Sequence, residues 1–379
     1  MLRPLPLLLA LGACGSNAPP STPATPTEPA TPTPPTPSYE VHEWGLVRRA
    51  LPDRVIVSGP PGTSRMDPMP VAKPVLYFHR DGDGPLTIDV EVTMPSGHVV
   101  EHWPLTTSAP TPTSIRWADV ALVEGHCRGS RYPRPMEPPC NAVSDFCEAA
   151  ELATVEAEDG DCVHVAGQPF DHLFYRGEVT SPPTFSTRSA GSTADFPLAL
   201  ALEGDVLRVT HRGRAPIPGK LVRVRRSGAA VSVVEAPRPG ASATLPPPSV
   251  PNGEGARALA DSLRSAGLTD AEARAFARAW DVELFGAITA SVTTIPPAPS
   301  AAPPSAASSA ASPSTASPSA DVLPSAMPMG APADDALLYV LPTDDADALA
   351  TLRFDPPPRV VRRAIVVWID VVLGRPVQR

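Results

Sequence analysis

The sequence has few aromatic side chains, which are the largest that a hydrophobic core can bury. Aromatic residues make up 5% of its 379 residues, whereas 53 residues are proline. A chain of this composition cannot pack along its whole length, so length alone overstates the number of domains. With the low-complexity parts set aside, we expect one large domain, or two small ones with a shared core.

Positive charge is also scarce, and lysine is nearly missing. The formal net charge is −9, and of the 31 basic residues only Lys73 and Lys220 are lysine. An acidic protein is a poor general ligand for nucleic acid and for anionic membrane surfaces. We therefore predict no nucleic-acid partner. The fingerprints G-x-S-x-G, the P-loop and the dinucleotide-binding glycine motif are absent as well, and we predict no cofactor.

The first residues combine one positive charge with a short apolar run that ends at a cysteine. Arg3 is followed by the apolar run Leu5–Leu11, which is far too short to span a bilayer. The run ends in Leu11-Gly12-Ala13-Cys14, which resembles a lipobox. The resemblance implies cleavage before Cys14 and lipidation of its sulfur, and hence a membrane anchor. The alternative is an ordinary signal peptide with a chance cysteine.

The remaining chain alternates between proline-rich and ordered-looking parts. After the signal peptide (1–13), a Pro/Thr-rich tether (14–38) has too little apolar surface to fold. A β-rich domain (39–292) follows, with a helical hairpin at about 254–285. A disordered Ala/Ser/Pro-rich insertion (293–335) then precedes C-terminal strands (336–379) that complete the domain.

The ordered parts predict a mainly β (α+β) fold. Short alternating runs separated by Gly, Pro and Asp turns indicate an antiparallel, sandwich-like arrangement of strands. One region has helical periodicity instead. In it Gly267 ends a first helix, and Thr269-Asp270-Ala271-Glu272 is a capping box that opens a second. Phe276, Trp280 and Leu284 recur at helical spacing on that second helix.

Four cysteines remain if Cys14 carries lipid. Cys127, Cys140, Cys147 and Cys162 form an even set around a proline-rich loop, which in an oxidising compartment predicts two disulfides. The connectivity stays open, with the local pairs Cys127–Cys140 and Cys147–Cys162 weakly favoured. A four-cysteine zinc site is the rival interpretation, although no C-x-x-C pair supports it.

Several short pieces together resemble a known group of bacterial proteins. They are VHEWG at 41–45, KPVLYFH at 73–79, HLFYRGEV at 172–179, GLTDAEARAFARAW at 267–280 and LLYVLP at 337–342. In this order they resemble an uncharacterised family of secreted and lipid-anchored proteins marked by an HEWG motif at the start of the mature domain. The resemblance implies a location in the cell envelope but no activity, cofactor or catalytic residue.

Two stretches contain candidate chemistry. In a strand, His42 and Trp44 face one side while Glu43 faces the other, which favours structural roles over a catalytic His42/Glu43 pair. The run His98-Val99-Val100-Glu101-His102 matches H-x-x-E-H, but that metal motif requires a helix. As a strand, it places His98 and His102 on one face, roughly 13 Å apart, with Glu101 on the other.

We predict a lipid-anchored cell-envelope protein of the outer membrane, on its periplasmic face or the cell surface. Its role is a non-catalytic binding or structural one, with an unidentified protein or glycan partner. The alternative is an envelope hydrolase or metal-dependent enzyme that uses His42, Glu43 and nearby histidines such as His79 and His102. Clustering of these side chains would favour the enzyme.

Overall fold

The computed structural model describes the ordered parts of the chain and separates residues 1–36 from residues 37–379. All described residues belong to the second unit. They are residues 38–50, 69–82, 84, 86–106, 110–127, 129–130, 132–133, 152, 155–157, 159–179, 185–186, 193–194, 197–286 and 334–371. Cys14, Cys140, Cys147 and nearly all of both the tether and the Ala/Ser/Pro-rich insertion lie outside them.

The largest sheet has nine strands and draws them from most of the described chain. In spatial order they are β16 (Val250–Pro251), β14 (Ala230–Glu235), β13 (Lys220–Arg225), β17 (Asp335–Val340), β19 (Val360–Asp370), β1 (Ser38–Ala50), β2 (Met69–Asp81), β8 (Leu173–Val179) and β4 (Gly97–Trp103). The C-terminal strands β17 and β19 therefore sit in the middle of the sheet, next to the first strand.

Three smaller sheets accompany it. A five-stranded sheet has the order β18 (Thr351–Asp355), β3 (Leu86–Thr93), β5 (Ser114–Val123), β6 (Cys162–Val165), β7 (Gln168–Phe170). A three-stranded sheet has the order β11 (Leu198–Glu203), β12 (Val206–His211), β15 (Ser242–Leu245), and a ribbon pairs β10 (Thr193–Ala194) with β9 (Phe185–Ser186). The predicted mainly β fold is confirmed.

Among the strands of the described residues, one pair departs from the antiparallel pattern. β1 runs parallel to β19, with Glu43 opposite Arg363 and Trp44 opposite Ala364. On its other side β1 is antiparallel to β2. A parallel pair needs a long connection, and here the connection is the rest of the domain between β1 and β19. Hydrophobic alternation within a strand does not reveal whether its neighbour runs parallel or antiparallel to it.

The nine-stranded sheet is buried on both faces. One face joins the five- and three-stranded sheets in a core that includes Val41, Phe78 and Ile88, which gives the sandwich-like arrangement. The other face packs against the helical hairpin in a second core, which includes Trp44, Phe276 and Trp368. A central sheet of this kind buries both sets of alternating side chains, so polar groups within it need partners inside the protein.

The predicted helical hairpin is present, and it begins two residues before the predicted position 254. α1 (Asn252–Ser265) and α2 (Asp270–Phe285) are joined at Gly267, whose φ of +101° suits glycine. Thr269 and Glu272 form the predicted capping box at the start of α2. A short helix, α3 (Thr343–Ala346), follows β17. None of the helices in the described part of the chain is both long and apolar enough to span a bilayer.

Gly45 is required where β1 meets β2. The register of this pair shifts between Trp44 and Leu46. A Cβ atom at Gly45 would lie 3.2 Å from Pro74 Cα and 3.4 Å from Ile365 Cδ1. The glycine of the HEWG stretch thus lets the backbones approach closely at a bulge, and Pro74 sits there because a bulge tolerates a residue without an N–H.

The structure pairs Cys127 with Cys162 in a disulfide. The weakly favoured local pairings are therefore wrong for these two cysteines, which are 35 residues apart in sequence. The reason is topological: β6, which starts at Cys162, pairs with the end of β5 at Val123, and this brings Cys162 close to the segment that follows β5. Cys140 and Cys147 lie outside the described residues.

Candidate functional site

His42 and Glu43 point to opposite faces of the central sheet, as alternation predicts. His42 reaches Glu272 of α2 on the helical side. Glu43 reaches Tyr175 and Arg363 on the side of the smaller sheets. The two residues therefore do not form a pair, and any chemistry at the HEWG stretch must use one of them without the other.

On the helical side, two histidines meet one carboxylate. His42 Nδ1 lies 2.9 Å from Glu272 Oε2 and 3.1 Å from Oε1. His79 Nε2, on the neighbouring strand β2, lies 2.8 Å from Glu272 Oε1. The two imidazole rings are 4.4 Å apart between centroids. One donor atom from each residue falls within 4.8 Å of the others, so this cluster has the dimensions of a metal-ion site. We call it the His42–His79–Glu272 cluster.

Glu272 is placed by the start of α2. Its backbone N–H donates to the Thr269 hydroxyl at 3.1 Å, and its Oε2 accepts from the Thr269 backbone N–H at 2.8 Å. The same carboxylate thus caps a helix and contacts both histidines while fully buried. Burial alone raises the pKa of Glu272, but hydrogen bonds and charge from His42 and His79 outweigh it and lower the pKa to about 2.

The contact with Glu272 also shifts the pKa of His79. Burial lowers the pKa of His79, but the hydrogen bond and charge of Glu272, together with the charges of Asp159 and Asp161, raise it overall. The side chain of His79 is 22% exposed, whereas those of His42 and Glu272 are 6% and 0% exposed. The cluster is therefore buried except on the side of His79.

A second carboxylate, that of Glu40, lies behind His42. Glu40 Oε2 is 3.5 Å from His42 Nε2, and the same oxygen is 3.5 Å from Arg362 Nε. Glu40 also pairs with Arg359 through its other oxygen. Burial acts to raise the pKa of Glu40, but His42 and the two arginines together lower it. Glu40 is thus an ionised neighbour whose carboxylate faces His42 Nε2 and can accept a hydrogen bond when that nitrogen carries a proton.

Glu43 belongs to a separate buried ion-pair network. Its Oε1 accepts from the Tyr175 hydroxyl at 2.5 Å, and its Oε2 accepts from Arg363 Nε. Arg363 Nη1 also donates to Asp347 Oδ1 at 2.7 Å and to the Ala350 carbonyl at 2.8 Å. Every polar contact of Glu43 is therefore internal, as expected for a charge in a low-dielectric core.

The run from His98 to His102 lies in strand β4 and not in a helix, so it does not form the inverted zinc motif. The prediction that both histidines share a face is wrong. The β4–β8 register shifts between Val99 and Glu101, so His98 is opposite Glu178 while His102 is opposite Tyr175. Positions 175 and 178 of β8 face opposite sides, which separates the two histidines. Glu101 is buried and pairs with Arg176 at 3.0 Å.

His102 should make stability fall on the acid side. Burial lowers its pKa from 6.5 to about 4, and its Nε2 accepts from the Thr106 backbone N–H at 3.3 Å, which requires a neutral ring. In the unfolded chain His102 binds a proton near pH 6.5, whereas in the folded chain it does so only near pH 4. The contribution of His102 to stability is therefore fully present above pH 6.5 and is lost as the pH falls towards 4. We expect a loss on the order of 2 kcal/mol, reduced by partial exposure of the ring.

The measurement is a series of urea melts between pH 7 and pH 4. His102→Gln should flatten this acid slope, whereas His98→Gln, at a 41% exposed side chain, should leave it unchanged. Equal slopes in the wild type and His102→Gln would contradict the assignment.

Sequence reasoning named His42 and His79 but missed the third member of their cluster. Glu272 was predicted only as a capping residue, and the capping box is the local signal that could have drawn attention to it. Its contact with His42 joins positions 230 residues apart, which no local pattern encodes. Within the described residues, His102 lies apart from this cluster and faces Trp117.

Fold and cluster together define a mainly β domain with a buried two-histidine, one-carboxylate group under a helical hairpin. No family model matches the chain, and no curated protein sequence matches it. Among solved structures, it is similar to the "Fcho1 Mu homology domain (Danio Rerio) with bound Eps15 peptide", at 8% identity and a TM-score of 0.28. That alignment covers 88% of this chain and 96% of the other.

Proposed function

We propose that the protein is a lipid-anchored component of the bacterial cell envelope, with a non-catalytic binding or structural role. The observation that carries the anchoring is the sequence Leu11-Gly12-Ala13-Cys14 directly after an apolar run. In this proposal the lipid on Cys14 supplies the anchor, the 14–38 tether links it to the domain, and the membrane is the outer membrane, at its periplasmic face or the cell surface.

The contacts of Glu43, Trp44 and Gly45 in the HEWG stretch support the non-catalytic role. Glu43 has its contacts inside the fold, Trp44 fills the helical-side core, and Gly45 permits a close backbone approach. These contacts hold the central sheet and the helices together. They account for the residues of the HEWG stretch without any catalytic role. The partner is a protein or glycan.

The anchor is tested on the mature N-terminus. Mass spectrometry of the protein purified from membranes should show an acylated Cys14, and Cys14→Ser should move the protein into the soluble fraction. Asn17→Ser, a change in the same polar segment, should leave both the mass of the lipid and the membrane fraction unchanged. An intact Met1, or a mature chain with an unmodified Cys14, would contradict the proposal.

A second candidate is an envelope hydrolase or another metal-dependent enzyme. The observation that favours it is the grouping of His42 and His79 with Glu272, since histidine and carboxylate donors are those of metal-dependent hydrolases. Turnover of ester or phosphate substrates by the wild type, lost in Glu272→Gln, would decide for the enzyme. A wild type that turns over none of these substrates would decide for the non-catalytic role.

A further inference from the structure

We propose that the His42–His79–Glu272 cluster binds one divalent transition-metal ion, zinc by its donor chemistry. The proposal rests on side-chain geometry in the folded domain and goes beyond the anchoring role. It does not require catalysis, because a bound ion could equally fasten α2 to the central sheet.

The donor atoms already lie close to the spacing that a bound ion would impose. In a tetrahedral site with bonds of about 2.0–2.1 Å, neighbouring ligand atoms lie roughly 3.3–3.4 Å apart. The shared oxygen Glu272 Oε1 lies 3.1 Å from His42 Nδ1 and 2.8 Å from His79 Nε2. If each distance increased by a few tenths of an ångström, an ion could replace the hydrogen-bonding protons without a change of fold.

The groups behind the donors suit a metal centre as well. If His42 binds through Nδ1, its Nε2–H faces the Glu40 carboxylate 3.5 Å away, a carboxylate–histidine arrangement that orients a metal ligand. His42 Nε2 has no nearer hydrogen-bond partner in the described structure, although it is buried. Glu272 Oε2 is held by the Thr269 backbone N–H at 2.8 Å. Two of the three ligands are therefore oriented before any ion arrives.

Burial and access distinguish this cluster from a surface group of charges. His42 and Glu272 are almost fully enclosed, while His79 is partly exposed and lies at the open side. Three protein ligands with one accessible side leave a coordination position for water or for a group on a partner. In the described structure Arg362 pairs with Glu40, and Arg359 pairs with Glu40 and Asp81, so their ion pairs do not involve Glu272 or His79.

The donor set also selects the class of metal. Two imidazoles and one carboxylate suit zinc and the neighbouring transition metals, whereas calcium and magnesium prefer oxygen ligands alone. None of the donors is a thiolate, which makes the soft cation copper(I) a poor fit. Cobalt(II) accepts the same geometry as zinc and absorbs visible light when bound, so it can report on the site.

The test is a titration of the metal-stripped, full-length protein in detergent with cobalt(II), followed by zinc. We expect one equivalent of cobalt(II) to bind with visible d–d bands of a low-coordinate site, and one equivalent of zinc to displace it. His79→Gln should weaken cobalt(II) binding roughly 100-fold or more. Glu272→Gln should do the same while it preserves the capping box, because glutamine serves at that position.

His98→Gln is the matched control, since His98 is also a partly exposed strand histidine facing a carboxylate, Glu178 at 3.5 Å. It should bind cobalt(II) as the wild type does. Circular dichroism shows which variants remain folded, and the wild-type titration decides the proposal even if a variant does not fold. The proposal is overturned if the wild type shows no saturable cobalt(II) binding, or if folded His79→Gln binds as tightly. Neither result would bear on the acylation of Cys14.

Discussion

Replacing Trp44 by alanine should lower the free energy of unfolding by about 3–5 kcal/mol. Trp44 is fully buried and is among the largest enclosed side chains of the described domain. Its indole packs edge-to-face against Phe276 of α2, with 5.3 Å between ring centroids. Truncation would leave a cavity between the central sheet and the helical hairpin, which the rigid cross-strand neighbours of β1 cannot fill.

Urea melts of the mature, disulfide-bonded chain measure this loss. Val282→Ala is the control, because Val282 lies on the same α2 but is 73% exposed. That change should alter stability by no more than about 0.5 kcal/mol. A Trp44→Ala protein that melts like the wild type would overturn the scaffold role of the HEWG stretch.

Glu43→Gln should also be costly, with a loss of about 3 kcal/mol. Glutamine preserves the shape and a hydrogen bond to Tyr175, but it removes the negative charge beside a guanidinium that is only 3% exposed. Asp347 offsets part of this loss, since it contacts the other side of Arg363 at 2.7 Å. The loss should still be no larger than that of Trp44→Ala, because Trp44→Ala also leaves a cavity.

The control for Glu43 is Glu178→Gln. Glu178 is also a strand glutamate, but its side chain is 24% exposed and faces His98 rather than an arginine. Exposed pairs of this kind contribute up to about 1 kcal/mol, so the control should remain within that range. Equal melts of Glu43→Gln and the wild type would show that the buried ion pair adds nothing to the fold.

The sequence predicts the local part of this structure well. Alternation correctly separates His42 and Trp44 from Glu43, because successive side chains of a regular strand point to opposite faces. The capping box from Thr269 to Glu272 and the helical stop at Gly267 are confirmed for the same reason, since their signals lie within a few residues.

What the sequence could not predict depends on contacts between distant segments. Arg363 is 320 residues from Glu43, and the parallel direction of β19 against β1 decides that they meet. The bulge at Val100 reverses the face of His102, although the strand itself was predicted. Glu272 joins His42 and His79 only because α2 packs on the central sheet. Pairing of this kind is set by topology, which no single motif encodes.

The most direct test of the central claim, that the HEWG stretch is internal scaffold, is a double-mutant cycle between Glu43 and Arg363. The cycle compares urea melts of the wild type, Glu43→Gln, Arg363→Met and the double variant. We predict a coupling free energy of about 2–3 kcal/mol, because either single change leaves a buried charge unpaired while the double change removes both charges. A coupling below about 0.5 kcal/mol, within the error of additivity, would contradict the claim and return Glu43 to the candidate functional residues.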